Sequence, residues 1–279
     1  MNDSPIFIIG QPRSGTTLIQ RVLNQADGVC ISGEHMGLLK GLLKQSRDAL
    51  THKDVDFFFP PIPYRDCIDL YRYRLKDPKY FSASANGIAR SWINGALMDF
   101  ILAIAHPSRK EGAMNDRWGF KEVKYGFEDG DAVFRMLTMF WPKAKFILIT
   151  RNPLDQITSA ISRGWWSDDV GEMEARWETQ AKTFLQVHKD ERYDTNLVRY
   201  ESFDSFEYVK GICQWSSVDV PDDKIQLIMD TVTGATPNRQ PLSDEDQAVI
   251  AELAAGETAQ AIYPTAPSDP PSQPADESD

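Results

Sequence analysis

The stretch PIFIIGQPRSGTTLIQ, residues 5–20, decides the fold of this 279-residue chain. It opens with an apolar run of strand length, residues 6–9, and it ends in a segment with the apolar spacing of a helix. The helical positions are Leu18, Ile19, Val22 and Leu23. Between the two lies GQPRSGTT. Because backbone N–H groups converge in such a turn and a helix N-terminus attracts negative charge, the stretch predicts a loop that holds phosphate.

The loop matches the phosphate-loop pattern G-x-x-x-x-G-K-[ST] at every position but one, because Thr16 occupies the lysine position. A nucleotide kinase or ATPase uses that lysine on the outer phosphates, so its loss argues against ordinary ATP chemistry. The cationic side chain is instead Arg13, three residues into the loop. The alternative interpretation is a strand–turn–helix junction that binds no ligand.

Apolar runs of strand length alternate with helical patterns along the chain, which is typical of a parallel sheet covered by helices. Further strands are predicted at residues 28–32, 118–123, 146–150 and 196–200, and helices at 38–50, at 84–105 and from Pro153. Four charged residues lie at or just beyond strand ends: Arg13, Glu34, Lys121 and Arg151. Because ligands bind outside the carboxyl ends of an open parallel sheet, we expect these four to converge on one crevice.

The sequence predicts one α/β domain over residues 1–263. Residues 40–115 are expected to form a helical and irregular insertion on the acceptor side, since the pattern loses its period from about residue 51 to 79 and becomes rich in Pro, Tyr, Phe and Arg. Residues 264–279, PTAPSDPPSQPADESD, are acidic and proline-rich, so we expect a disordered tail.

The composition of the chain argues against several classes of protein: nucleic-acid-binding, membrane-spanning and metal-binding proteins. The net charge of −11 argues against nucleic-acid binding. No apolar run approaches the length of a bilayer span, and the first residues lead straight into a strand, so we expect a soluble cytoplasmic protein without a transmembrane segment. The three cysteines and four histidines are scattered, which predicts packed thiols and no metal site.

PRSGTTL followed by an amphipathic helix resembles the 5′-phosphosulfate loop of sulfotransferases that use 3′-phosphoadenosine 5′-phosphosulfate (PAPS). That family also has a strand running into R-x-P, with a serine eight residues after the arginine for the donor's 3′-phosphate. The segment KFILITRNPLDQITS, residues 145–159, is similar to it and supplies Arg151 and Ser159. The resemblance implies a phosphate-loop three-layer sandwich around a central parallel sheet.

The resemblance also implies which residues bind the donor: Arg13, Ser14, Gly15, Thr16, Thr17, Arg151 and Ser159. Arg239, in TGATPNRQPL, lies where the family often closes over the 3′-phosphate, although the family's R-K-G form is missing. Lys121 resembles the lysine that approaches the bridging oxygen. The Tyr200–Glu201 pair is similar to a strand-end pair that supports the fold.

Two neighbours compete for the role of general base, which must take the proton of the acceptor hydroxyl. Glu34 resembles the catalytic glutamate of the tyrosylprotein and related glutamate-type sulfotransferases. His35 is the alternative, because cytosolic small-molecule sulfotransferases use a histidine. Trp165 and Trp166 are candidates for an aromatic wall facing the acceptor or for buried core.

The expected function is therefore transfer of the sulfuryl group of PAPS to an acceptor hydroxyl, with release of adenosine 3′,5′-bisphosphate (PAP) and no metal. The acceptor is expected to be a small molecule, a carbohydrate or a lipid, with peptide tyrosine ranked below these. Two alternatives remain at this point: a kinase-like phosphotransferase on the same loop, and a nucleotide-binding protein that performs no chemistry.

Overall fold

The computed structural model describes residues 4–41, 95–96, 99–103, 117–127, 130–164, 167, 169–231 and 242–264. These residues contain a five-stranded, wholly parallel sheet in the order β2-β3-β1-β4-β5. The strands are β1 (Ile6–Gly10), β2 (Val29–Ser32), β3 (Arg117–Glu122), β4 (Lys145–Thr150) and β5 (Asp194–Arg199). All five predicted strands are confirmed, with ends that differ by one or two residues.

Eight helices that lie wholly within the described residues accompany the sheet. They are α1 (Thr16–Leu23), α2 (Ala132–Phe140), α3 (Pro153–Ile161), α4 (Val170–Lys189), α5 (Phe206–Trp215), α6 (Asp222–Thr231), α7 (Asp244–Ala255) and α8 (Glu257–Ile262). A short 3-10 helix, Tyr200–Ser202, follows β5. None of these helices combines the length and apolar character that a bilayer-spanning helix requires.

The helices cover both faces of the sheet. Phe7 and Ile9 of β1 belong to a core that includes Phe134 of α2 and Phe184 of α4. Their alternating neighbours face the other side, where Ile8 shares a core with residues of α1, α5 and α6. A strand buried on both faces reads as a continuous apolar run, which is why residues 6–9 lack alternation. The three-layer α/β prediction is confirmed.

Strand order places the loop after β1 at a reversal point. The chain passes from β1 to β2 and β3 on one side, then crosses β1 to form β4 and β5 on the other. In open α/β sheets the crevice at such a switch point is the usual ligand site. A third core, formed by α3, α4, α7 and α8 around Trp177, packs beside this edge and fixes the helices that follow β4.

Several predictions fall wholly or largely outside the described residues. They concern most of the 40–115 insertion, the tail beyond residue 264, Trp165, Trp166 and Arg239. Of the helices predicted at 38–50 and 84–105, residues 38–41, 95–96 and 99–103 are described, and they are helical. The single domain over residues 1–263 stays a prediction.

Candidate functional site

The loop between β1 and α1 is a tight turn with a built-in backbone strain. Arg13 has φ 64° and Gly15 has φ 83°, so both are left-handed. A non-glycine residue rarely adopts this conformation, and such outliers concentrate at functional sites. Gly10 permits the close approach of the returning chain, because an added Cβ would lie 2.3 Å from Thr16 Cγ2. Ser14 Oγ donates to the carbonyl of Gln11 at 2.6 Å and closes the turn.

Buried amide side chains fasten this loop to the rest of the sheet edge. Gln11 Nε2 donates to the carbonyl of Trp177 at 3.2 Å, and its Oε1 accepts from the Arg151 backbone N–H at 3.3 Å. Gln156 Nε2 donates to the carbonyl of Pro12 at 2.8 Å, and Trp177 Nε1 donates to the carbonyl of Arg151 at 2.9 Å. The loop is therefore held by residues of α3, α4 and the end of β4.

Sequence reasoning missed these fastening residues, Gln11, Gln156 and Trp177. Glutamine has no preferred place in the loop pattern, and Trp177 lies 166 residues from its partner Gln11. The one available signal was a glutamine inside the glycine-bounded loop, which by itself indicates nothing.

The structure brings Arg13, Arg151 and Ser159 together. Arg13 Nε donates to Ser159 Oγ at 3.2 Å, and Arg151 Nη1 donates to the carbonyl of Arg13 at 3.1 Å. The Arg151 guanidinium lies 4.2 Å from the centre of the Tyr200 ring. α3 explains the placement of the serine, because Pro153 occupies its first turn and Asn152 caps it by accepting from the Leu154 N–H.

This cluster carries positive charge without compensation. The pKa of Arg13 is lowered, chiefly by burial and then by the charges of Arg163 and Arg151; Tyr200 opposes the shift, and no carboxylate of the described residues is among its causes. Arg163 was not among the predicted residues. It follows Ser159 by four positions and lies in the turn just after α3, where its N–H donates to the carbonyl of Ala160 at 3.2 Å. Like charges gathered at a helix N-terminus favour an anion.

The remaining loop hydroxyls differ in exposure. Ser14 and Thr16 are buried, whereas Thr17 is exposed in the first turn of α1. Gly15 is the N-cap of α1 and packs against the rings of Tyr200 and Phe203. Tyr200 and Glu201 thus lie beside the loop, and Glu201 Oε1 accepts from the Asn152 N–H at 2.7 Å.

Glu34 and Lys121 meet at the neighbouring strand ends. Lys121 of β3 is paired in register with Ile8 of β1, so its side chain lies on the face of the sheet that carries α1. Its Nζ forms an ion pair with Glu34 Oε1, just beyond β2. The Lys121 side chain is 8% exposed and that of Glu34 is 23% exposed. The carboxylate therefore remains accessible beside a buried cation.

His35 lies on the opposite face of β3. Its Nε2 is 3.2 Å from the Tyr125 hydroxyl, and its ring packs edge-on against Phe120. Its Nδ1 is 3.3 Å from Glu122 Oε2, but the groups are not aligned as a hydrogen bond. Burial lowers the pKa of His35, while the charge of Glu122 opposes that shift. The side chains of the two candidate bases, Glu34 and His35, thus lie on opposite faces of the sheet.

The four predicted strand-end residues, Arg13, Glu34, Lys121 and Arg151, all lie at the carboxyl edge of the sheet. The predicted residues form two groups at this edge. Arg13, Arg151 and Ser159 cluster around the β1 loop, and the Glu34–Lys121 ion pair lies next to them. Among the described residues, no group of three or more His, Cys, Asp or Glu side chains is arranged to hold a metal ion.

The model of the sulfotransferase family matches residues 5–222. The chain belongs to the sulfotransferase family. This membership confirms the resemblance stated on PRSGTTL and on residues 145–159, while the glutamate-type subgroup stays a prediction. A search of curated proteins found no match to the chain.

Solved structures of sulfotransferases resemble this fold. A sulfotransferase domain from the Synechococcus PCC 7002 olefin synthase is 16% identical with a TM-score of 0.51, over 91% of this chain and 95% of that one. A sulfotransferase from Alicyclobacillus acidocaldarius is 17% identical with a TM-score of 0.45, over 94% and 97%. A mouse sulfotransferase complexed with PAP is 12% identical with a TM-score of 0.44, over 93% and 75%. The first similarity shows a shared fold.

Proposed function

We propose that this protein transfers the sulfuryl group of PAPS to an acceptor hydroxyl and releases PAP. One observation carries the proposal. A preformed β1 loop with uncompensated guanidinium groups lies beside an accessible carboxylate–lysine pair, at the same edge of a sulfotransferase-family sheet. The first group suits a polyanionic donor, and the second suits proton removal and charge neutralisation during transfer.

The residues of the loop fit the donor chemically. The Arg151 guanidinium is largely buried, and its Nε has no hydrogen-bond partner among the described residues. Arg13, the loop amides of Ser14, Gly15 and Thr16, and the Thr17 hydroxyl would hold the 5′-phosphosulfate. Arg151 and Ser159 would hold the 3′-phosphate. Arg239, which lies outside the described residues, is proposed to add a contact there.

PAPS supplies a sulfuryl group on a good leaving phosphate, and its transfer resembles the in-line displacement of phosphoryl transfer. Glu34 would accept the proton of the attacking hydroxyl. Lys121 would stabilise the charge that develops on the bridging oxygen as the bond to sulfur breaks. Arg13 would neutralise the phosphosulfate oxygens during the same step.

The placement of His35 supports Glu34 as the base. Glu34 shares the α1 face of the sheet with the β1 loop, whereas His35 is buried among Phe120, Glu122 and Tyr125. A general base must come within hydrogen-bond reach of the acceptor proton. Glu34→Gln should abolish turnover and leave PAP binding nearly intact. Retained turnover in that variant would reject Glu34 as the base and bring His35 forward.

Ligand-dependent unfolding tests the donor site first. PAP, ATP with magnesium, and ADP should be added separately, because a ligand that binds the native state stabilises it by mass action. Stabilisation by PAP alone supports the proposal. Stabilisation by ATP with magnesium would favour a kinase-like phosphotransferase, and PAP binding without turnover on any acceptor would favour a non-catalytic nucleotide-binding protein.

The acceptor is proposed to be the hydroxyl of a small molecule, a carbohydrate or a lipid, with peptide tyrosine ranked below these. Transfer of labelled sulfate from PAPS to a panel of phenols, alkanols, sugars and tyrosine peptides distinguishes them. We also propose a cytoplasmic location. Cys30 and Cys213 are free thiols, which suits a reducing compartment.

A further inference from the structure

Lys121 and Glu122, at the end of β3, contact Glu34 and His35, which follow β2. Lys121 and Glu122 project to opposite faces of the sheet, since they pair with Ile8 and Ile9 of β1. Lys121 forms an ion pair with Glu34, while Glu122 lies against His35 and the turn behind it. The end of β3 therefore contacts the segment after β2 on both faces of the sheet.

Glu122 is fully buried, and its carboxylate is occupied by backbone amides. Oε1 accepts from the N–H groups of Val123 at 2.9 Å and Lys124 at 3.3 Å. Oε2 accepts from the Gly37 N–H at 2.8 Å. Among the described residues, no lysine or arginine forms an ion pair with it. Because burial of a carboxylate is costly, amide hydrogen bonds are what sustain it here.

The turn that Glu122 holds is strained. Met36 has φ 59° and Gly37 has φ 70°, so two successive residues are left-handed. Met36 is not a glycine, and the residue is 73% exposed, so packing of its side chain does not enforce the conformation. Two hydrogen bonds hold the turn directly after Glu34 and His35: the Leu38 N–H donates to the carbonyl of His35 at 3.0 Å, and the Gly37 N–H donates to Glu122, which ties the turn to β3.

We propose that Glu122 is a positioning residue for Glu34. By holding the 36–37 turn and filling the face beside His35, it keeps Glu34 on the opposite face, next to Lys121 and the crevice. The inference rests on the proposed role of Glu34 as the base. It differs from a purely structural role because loss of Glu122 should damage proton removal and spare the donor site, which lies on the β1 loop and α3.

Glu122→Gln tests the proposal with little change in volume. An amide has one acceptor oxygen, so it cannot accept both from Gly37 and from the Val123 and Lys124 amides. We expect kcat for transfer of labelled sulfate from PAPS to the best acceptor of the panel to fall roughly 10- to 100-fold, since small displacements of a catalytic group are costly. The Kd for PAP should stay within about twofold, because these donor contacts are unaltered.

Comparing kcat with the Kd for PAP separates positioning from general damage. If Glu122 acts through Glu34, Glu122→Gln should lower kcat and leave the Kd for PAP near the wild-type value. A Kd for PAP that rises by as large a factor as kcat falls would overturn the proposal. So would a Glu122→Gln protein with wild-type kcat. Glu172→Gln is the matched control, because Glu172 is an exposed glutamate that pairs with Arg176 on α4 and should not change kcat.

A second variant keeps the test decisive if Glu122→Gln does not fold. Gly37→Ala strains the same turn without touching the carboxylate, and the new Cβ meets only the Lys124 side chain, at 3.4 Å. It should also lower kcat and spare PAP binding. Unchanged kcat in Gly37→Ala would overturn the inference alone. A wild-type protein that binds PAP but sulfates no acceptor would instead reject the proposed function, and this inference with it.

Discussion

The Arg151→Ala substitution should weaken binding of PAP while the protein still folds. Arg151 is 8% exposed and directly follows β4. In the free protein its Nη1 donates to the carbonyl of Arg13 at 3.1 Å, and its guanidinium lies 4.2 Å from the Tyr200 ring centre. Its Nε has no hydrogen-bond partner among the described residues. The side chain is thus already oriented by two contacts in the free protein.

The expected loss of donor affinity follows from one charge-assisted contact, about 1.5–3 kcal/mol. At 1.4 kcal/mol for each factor of ten, the Kd for PAP should rise roughly 10- to 150-fold. Stability should fall by about 1–3 kcal/mol, because the bond to the Arg13 carbonyl and the cation–π contact are lost while repulsion with Arg13 is relieved. Arg151→Lys should lie between, since it keeps the charge and loses the planar fork.

Titration calorimetry with PAP and with adenosine 5′-phosphate is the assay. If Arg151 binds the 3′-phosphate, the loss should appear with PAP and be small with adenosine 5′-phosphate. Arg192→Ala is the control, because Arg192 pairs with Asp190 at the opposite, amino edge of β5. A folded Arg151→Ala protein whose Kd for PAP is within twofold of wild type would refute the assignment.

Three further predictions concern Arg163, Gly119 of β3 and His35. Arg163→Ala should raise the Kd for PAP roughly two- to tenfold at low salt and less at high salt, because exposed charges are screened; calorimetry showing no change at low salt would contradict this. Gly119→Ala should destabilise by more than about 2 kcal/mol in urea unfolding, because its Cβ would lie 1.7 Å from the carbonyl oxygen of Ile6; a loss below about 0.5 kcal/mol would refute the contact. The pKa of His35 is lowered from its ordinary value of 6.5, so the unfolded chain takes up the proton first. Wild type should therefore lose more stability than His35→Gln as pH falls below 6.5 in thermal unfolding, and parallel pH profiles would contradict the shift.

The sheet and the phosphate-type loop could be predicted because their signals are local. Residues 6–9 are buried on both faces and so form an uninterrupted apolar run. The loop contains glycine where the backbone of such a turn requires it. The R-x-P segment includes the residues that start α3, since Asn152 is its N-cap and Pro153 its first residue. Strand-end placement therefore predicted that Arg13 and Arg151 converge, and the resemblance to the sulfotransferase family implied that Ser159 lies with them.

The supporting contacts could not be predicted because they join residues far apart in the chain. The bond from Gln11 to the carbonyl of Trp177 spans 166 residues, and the bond from Gly37 to Glu122 spans 85. For Glu122, the alternation of a strand shows that its side chain faces away from Lys121, but it does not show what lies on that face. The opposite placement of Glu34 and His35 likewise depends on where β3 ends beside β2.

The fastening of the β1 loop by Gln11, Gln156 and Trp177 also bears on how quickly a ligand can enter. A turn secured from α3, α4 and β4 cannot rearrange without breaking several buried hydrogen bonds at once. Because the loop is already ordered in the folded protein, binding of PAP does not require a slow conformational change of the loop. In stopped-flow experiments the observed rate should rise linearly with PAP concentration and show no plateau.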